Sequence, residues 1–484
     1  MNDKSIKTYW RNYIGGKWVD GKKGRRITIE NPATGEPLAE IACAEIEDVN
    51  LAVEAARKAF DSRVLRDMKP VVRSALMFRI AHELEKLAED VALAECLDNG
   101  KRISDARAEA FASARYFSYY GGLTDKLEGR SIPLGDGYVD YTILEPYGVS
   151  VQIVPWNYPL QLAVRSVACA LATGNSVIVK SPKLSPLSVC LLGEACENAG
   201  VPEGVINILC GSGETIGTAL VSHQGIDHVV FTGSVPTGQR ILRAASERII
   251  PCVMELGGKS AGVVYPDVDQ QAVVDDVMVG IFTNSGQICS ALSRLIVHTS
   301  IYDEFVERLI EKAESLTIGP GIEDHDITPL ISLKQLETVE AYCREAEEQG
   351  AVRATGGRRV PDLKGFFFPP TIYTEVRPEM TIAQEEVFGP VLVVLKFTEP
   401  EEAISLANGT NYGLVAGVYT NDLSLAHWTA NRLEAGQVFV NQWYAGGVET
   451  PFGGVKYSGY GREKGQEALL NYVQTKNIAI RLRS

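Results

Sequence analysis

The sequence predicts an α/β fold with two parallel-sheet domains, and two observations carry that reading. From residue 149 short apolar runs, "VSVQIV", "NSVIVK", "GVINIL", "HVVF" and "PCVMEL", alternate with helix-like stretches such as "LSVCLLGEACENAG" and "ETIGTALVSH". Buried β-branched runs separated by helices mark a parallel sheet wrapped in helices. The alternation then resumes between about residues 260 and 450, where "SRLIVHTS", "VLVVLKF" and "AGQVFVNQ" flank helices such as "YDEFVERLIEKAESL". A chain of 484 residues is long enough for two or three domains with a large core.

Taken in order, the opening third reads as largely helical, because "DVNLAVEAARKAF" and "RSALMFRIAHELEKLAEDVALAECLDNGK" place apolar residues at helical spacing. Two segments fit neither sheet. "GYVDYTILEPYG" (137–148) and "NYVQTKNIAIRLRS" (471–484) alternate like exposed strands with no local partner. Open strand edges invite pairing, so a second subunit is their expected outlet and a homo-oligomer is expected.

The net charge of −14 argues against nucleic acid or an anionic membrane as the main partner. It leaves room for an anionic cofactor, which needs only local positive charge. The N-terminus lacks the apolar stretch of a signal peptide, and no window approaches a membrane span. The nine cysteines form no CxxC pair and fit no zinc or disulfide framework. The setting reads as reducing and cytoplasmic, with no metal, and most of the thiols as core fillers.

Ligands of parallel sheets sit beyond the carboxyl ends of the strands, and those ends share a theme here. "NSVIVK" finishes in Lys180. "GVINILC" runs into Gly211, Gly213 and Gly217. "HVVF" runs into "TGSVPTG", where Ser234 is a candidate N-cap and Pro236 suits a first helical turn. A helix N-terminus suits a pyrophosphate. Each glycine turn is also compatible with a plain tight turn, and G-x-G-x-x-x-G departs from the usual dinucleotide fingerprint. Asn157 in "VPWNYP" is either a turn residue or an amide donor for an oxyanion. Glu255 in "VMELGGKS" is either a solvated acid or a desolvated general base. Cys289 in "NSGQICSALSR" has no nearby histidine; the closest in sequence is His298.

The strings "PWNYP", "VIVKSPKLSP", "FTGSVPTG", "MELGGKS", "NSGQICSA", "EEVFGPVL", "TNYGLVAGVYT", "PFGGVKYSG" and "GYGREKG", in this order, resemble the aldehyde dehydrogenase superfamily from about residue 13 to the C-terminus. The resemblance implies two Rossmann-like domains and a small β oligomerisation arm. Residues 1–125 and 147–256 would bind NAD(P), 257–470 would carry the nucleophile, and 126–146 with 471–484 would form the arm of a homodimer or homotetramer. It implies that Cys289 attacks a small-molecule aldehyde, and that Asn157 and the Cys289 N–H hold the oxyanion. Glu255 would then activate the hydrolytic water, and Glu463 would support it. Implied cofactor contacts are Trp156, Lys180, Gly213, Gly217, Phe231, Thr232, Gly233, Ser234, Leu256, Gly257, Glu386 and Phe388.

Two departures from the family pattern stand out. Where many NAD-preferring members carry a glutamate three residues after the ribose lysine, this chain has Lys183, which would attract a 2′-phosphate. NAD or NADP is therefore the expected cofactor, with NADP accepted and the preference between the two left open. Where many members have Trp-Lys in the helix after the asparagine, this chain has Arg165 and Ser166. Arg165 would either face the substrate tunnel or pair with a local acid. The resemblance lines that tunnel with Tyr158, Leu162, Ser290, Trp443, Tyr444 and Phe452, which suits an aromatic or bulky hydrophobic aldehyde. An aminoaldehyde would suit the aromatic walls through cation–π attraction, and an ω-semialdehyde would suit an inward Arg165. A CoA-acylating enzyme is disfavoured by Glu255. A silent structural homologue is disfavoured by the joint presence of Cys289, Glu255 and Asn157.

Overall fold

Five parallel strands form the middle of the first sheet, in the order Cys252–Glu255, His228–Thr232, Val149–Ile153, Ser176–Lys180 and Ile206–Leu209. Nearly all their residues are buried, because helices cover both faces. The computed structural model describes residues 6–482; residues 1–5 and 483–484, the extreme ends of the segments assigned to cofactor binding and to the arm, lie outside the described residues. Gly459–Tyr460 adds an antiparallel edge beside Cys252–Glu255, and Asn12–Ile14 with Lys17–Val19 close the other side. Residues close to the C-terminus therefore return to the first sheet.

The second sheet has seven strands in the order Val352–Thr355, Thr371–Thr374, Val391–Phe397, Arg294–His298, Ala261–Val264, Val415–Tyr419 and Gln437–Val440, all parallel except the first. Its core is a separate apolar cluster around Val274, Phe305 and Leu392.

Two expectations need correction. The opening third is not only helical: five strands lie between Tyr9 and Ala42, before the first helix at Ile46–Asp61. They are two to seven residues long and partly exposed, so they leave no continuous apolar run to read. The two unassigned strands do have a partner, namely each other. Tyr138–Pro146 pairs antiparallel with Val473–Arg481 along nine residues, from Tyr138 opposite Arg481 to Pro146 opposite Val473. Pairing across such a sequence separation has no local signature. No helix among the described residues is long and apolar enough to cross a membrane.

Candidate active site

Strand register assembles the site. Parallel pairing sets Ile153 beside Lys180, Lys180 beside Leu209, Phe231 beside Ile153, and Thr232 beside Glu255. The chain leaves these strands at one rim, so Trp156 and Asn157, the Thr232–Ser234 turn and Glu255–Gly257 are delivered together. Pro159 then starts the helix Pro159–Thr173, and Gly174 ends it at φ 95°, the left-handed conformation glycine tolerates. Tyr158, Leu162 and Arg165 lie at helical spacing and share one face.

Cys289 is supplied by the other domain, after an unusual turn. Asn284, Ser285 and Gly286 all have left-handed backbones, with φ of 49°, 52° and 71°. Gly286 has no alternative, since a Cβ there would stand 2.1 Å from the Gly389 carbonyl oxygen. Gln287 is fully buried, where its amide donates to the Asn284 carbonyl and its Oε1 accepts from the Ile331 N–H at 2.9 Å. The residues that frame the cysteine are therefore the scaffold of its turn. Ser285 ties the turn to Thr328, and the Asn284 amide donates to the Asn157 carbonyl.

The sulfur lies between two cavities. One, of about 280 Å³, is lined by Trp156, Thr232, Gly233, Ser234, Glu255, Leu256, Gly257, Glu386 and Phe388, and also by Gln335, Thr338 and Tyr342. The other, of about 250 Å³, is lined by Tyr158, Leu162, Arg165, Ser290, Tyr444 and Phe452, joined by Tyr116, Gln161, Phe439 and Lys464. Among the described residues, Asn157 and Cys289 are the two common to both. One Asn157 amide hydrogen goes to the Gln287 carbonyl at 3.0 Å, and the other has no partner among the described residues. Seven of the nine cysteines are buried, whereas Cys289 is partly open.

Burial dominates the electrostatics. It pushes the Cys289 thiol up to about 12, with Arg165 pulling down and Glu386 and Glu255 adding to the rise. Glu255 is held well above the usual carboxylate range, first by burial and then by Glu463, against the pull of Arg165 and Arg462. Neither of its buried oxygens has a hydrogen-bond partner among the described residues. Glu463 is also raised by burial, and its charge is offset by an ion pair with Arg165. The two alternatives for Arg165 thus hold together: it faces the tunnel and it pairs with an acid. Glu386 rises to about 7 by burial, while the Gly258 N–H at 3.1 Å and Lys259 favour its ionised form.

Lys180, Lys183, Gly213, Gly217, Phe231 and Trp443 fall outside the two cavities. Lys180, Lys183, Gly213 and Gly217 surround the neighbouring strand ends; Lys180 is buried, which lowers it to about 8, and Lys183 is exposed and close enough to lower it further. Gly213–Gly217 forms a single π-turn before the five-residue helix Thr218–Ser222, instead of opening a long helix. Phe231 is a core residue whose ring covers Gly233. Ser234 does cap Val235–Ser246, but its hydroxyl donates to Thr237 Oγ1 at 3.1 Å and accepts no backbone N–H. That leaves the first N–H groups of this helix open. Trp443 does not line the tunnel: it is buried under Tyr444 and donates to the Ser290 carbonyl at 3.1 Å. A left-handed backbone at Tyr444, φ 57°, turns the two neighbouring rings in different directions.

The missed lining residues left uneven traces. Gln161 follows from the same helical spacing as Leu162 and Arg165, and Lys464 adjoins Glu463. Tyr116 and Gln335 come from distant helices with no local cue.

The model of the aldehyde dehydrogenase family matches residues 18–478. The mitochondrial benzaldehyde dehydrogenase of Antirrhinum majus is 40% identical over 479 residues, covering 98% of this chain and 90% of that protein. The NAD+ complex of a Bacillus cereus aldehyde dehydrogenase superposes with a TM-score of 0.97 at 39% identity, covering 98% of this chain and 97% of that one. An indole-3-acetaldehyde dehydrogenase of P. syringae, in complex with NAD+ and IAA, gives a TM-score of 0.97 at 39% identity, covering 99% of this chain and 98% of that one. The chain belongs to the aldehyde dehydrogenase family.

Proposed function

We propose that this enzyme oxidises an aromatic or otherwise bulky hydrophobic aldehyde to its carboxylic acid through a thioester on Cys289. The observation that carries the reading is that Cys289 and Asn157, alone among the described residues, border both cavities, so one sulfur can meet a carbonyl from one side and a cofactor ring from the other. A nicotinamide dinucleotide fits the first cavity. The open N–H groups at Val235–Ser246 suit a pyrophosphate, and the Glu386 carboxylate suits ribose hydroxyls. Trp156 and Phe388, edge to face at 5.2 Å, give the ring an apolar wall. When bound, the oxidised cofactor accepts the hydride that the aldehyde carbon loses.

The chain's own groups do the rest. A thiol raised to about 12 is protonated at neutral pH, so it needs a base. Glu255 borders the same cavity, has both oxygens free of other described groups, and takes that proton. Sulfur attack on the carbonyl carbon gives a thiohemiacetal. Its oxyanion is held by the second Asn157 amide hydrogen and the Cys289 backbone N–H, donors already fixed in place before reaction. After the thioester forms, Glu255 releases the thiol's proton to solvent and then removes a proton from water; the hydroxide adds to the thioester carbonyl, and collapse of the adduct gives the acid and expels the Cys289 thiolate. Glu463, locked by Arg165, acts as a positioning group whose charge raises Glu255's affinity for a proton.

Tyr116, Tyr158, Phe439, Tyr444 and Phe452 favour a flat, apolar substrate body. Lys180 and Lys183, two cations with no acid in the glutamate's position, favour the 2′-phosphate of NADP over NAD. The arm strand Val473–Arg481 lies at an open sheet edge, which suits pairing with a second copy in a homodimer or homotetramer.

The test is an aldehyde panel with NAD+ and NADP+, following reduced cofactor and identifying the product. Free acid is expected. No oxidation of any aldehyde, or acyl-CoA as the required product, would overturn the reading.

A further inference from the structure

The substrate-side cavity is not only aromatic: among its described lining residues are two cations, Arg165 and Lys464, and no aspartate or glutamate. The two cations differ in what neutralises them. Arg165 is ion-paired with Glu463. Among the described residues, Lys464 forms no ion pair, and its ammonium lies 5.6 Å from the centre of the Phe452 ring. A partly desolvated ammonium without a counter-ion is an energetic cost the fold does not relieve. Burial and Arg165 lower its pKa to about 8, against the weaker influence of Glu449 and Glu463.

The backbone holds Lys464 in this position. Its φ is 61°, a left-handed conformation that a lysine rarely adopts. Both neighbours are pinned. Glu463 exchanges backbone hydrogen bonds of 2.7 Å with Phe452, and Gly465 donates to the Val448 carbonyl at 2.7 Å. The Tyr120 hydroxyl donates to the Gly465 carbonyl. A strained residue held from both sides, with its charge unpaired in a cavity, is preorganised for a ligand.

We propose that Lys464 is a specificity-determining residue that docks a carboxylate carried by the aldehyde substrate. The proposal rests on the oxidation of aldehydes at Cys289 and narrows it. The substrate body would lie along the Phe452 and Tyr158 rings, and its carboxylate would supply the counter-ion that Lys464 lacks. The same charge disfavours aldehydes bearing an ammonium group.

The experiment compares 4-carboxybenzaldehyde with 4-methylbenzaldehyde, and a series of aliphatic ω-carboxy aldehydes with their neutral isosteres. Wild type, Lys464→Met and Lys464→Arg are assayed with saturating cofactor. Wild type should favour at least one carboxylated substrate over its neutral isostere by about ten-fold or more in kcat/KM, the value of one charge-assisted hydrogen bond. Lys464→Met should abolish that preference by raising KM for the carboxylated substrate about ten-fold or more beyond any change for its neutral isostere. Lys464→Arg should keep most of it. Equal losses on charged and neutral substrates, or no wild-type preference for any carboxylate, would overturn the proposal while leaving aldehyde oxidation standing. If wild type oxidised no aldehyde at all, the parent reading would fail first.

Discussion

Replacing Gly286 by alanine should damage the site more than any other single added methyl group near Cys289, and the cost has two separable parts. The first is conformational: at φ 71° a non-glycine residue loses about 1–2 kcal/mol. The second is steric. The new Cβ would stand 2.1 Å from the Gly389 oxygen, 2.4 Å from its carbon and 2.9 Å from the Pro390 nitrogen, all backbone atoms at the start of the buried strand Val391–Phe397. Neither side can yield cheaply, so relief by a shift of the cysteine turn adds about 1–3 kcal/mol. The total is about 2–5 kcal/mol. A sulfur displaced by even 1 Å should lower kcat/KM by about a hundred-fold. Gly200→Ala provides the control, because Gly200 has φ 73° but no atom within 4 Å of its Cβ position. Thermal unfolding at one scan rate, with aldehyde oxidation assayed in parallel, distinguishes the two terms. Gly286→Ala should unfold well below Gly200→Ala and lose activity, which Gly200→Ala should keep. If the two variants unfolded together and both remained active, the claim that this turn dictates the position of the sulfur would be wrong.

Three further outcomes are expected. Alkylation of Cys289 by iodoacetamide in the cofactor-free enzyme should accelerate about ten-fold per pH unit from 7 to 10, because the thiolate fraction of a group raised to about 12 keeps growing over that range; a plateau by pH 8 would contradict the raised thiol. Glu255→Gln should lower kcat by about 10²–10⁴, the usual contribution of a general base, and an activity within three-fold of wild type would remove Glu255 from the mechanism. Lys183→Glu should lower kcat/KM for NADP+ by about ten-fold or more while improving use of NAD+, since a carboxylate repels the 2′-phosphate that lysine attracts; unchanged cofactor preference would end that argument.

What can be read from the sequence is what short-range geometry controls. Glu255 and Asn157 follow strand ends that parallel register forces to one rim, so their convergence follows from the fold, whereas Cys289 is brought to them by the left-handed turn at Asn284–Gly286. Tyr158, Leu162 and Arg165 are legible for the same kind of reason, a helical period of 3.6. Trp443 adjoins Tyr444 in the chain, and adjacency alone would put both rings in the tunnel. The left-handed backbone that separates them is invisible where no glycine announces it. The pairing of Tyr138–Pro146 with Val473–Arg481 is hidden differently: each strand reads correctly as exposed, but nothing local names its partner. Lys464 shows the third kind of limit. A lysine between a glutamate and a glycine looks like a solvated charge, and only the bridge from Phe452 to Glu463 turns it towards a cavity without acids among its described lining. Chemistry carried by the ends of regular elements can thus be read directly. Chemistry set by irregular backbone, where substrate choice resides, depends on contacts between segments that the sequence keeps far apart.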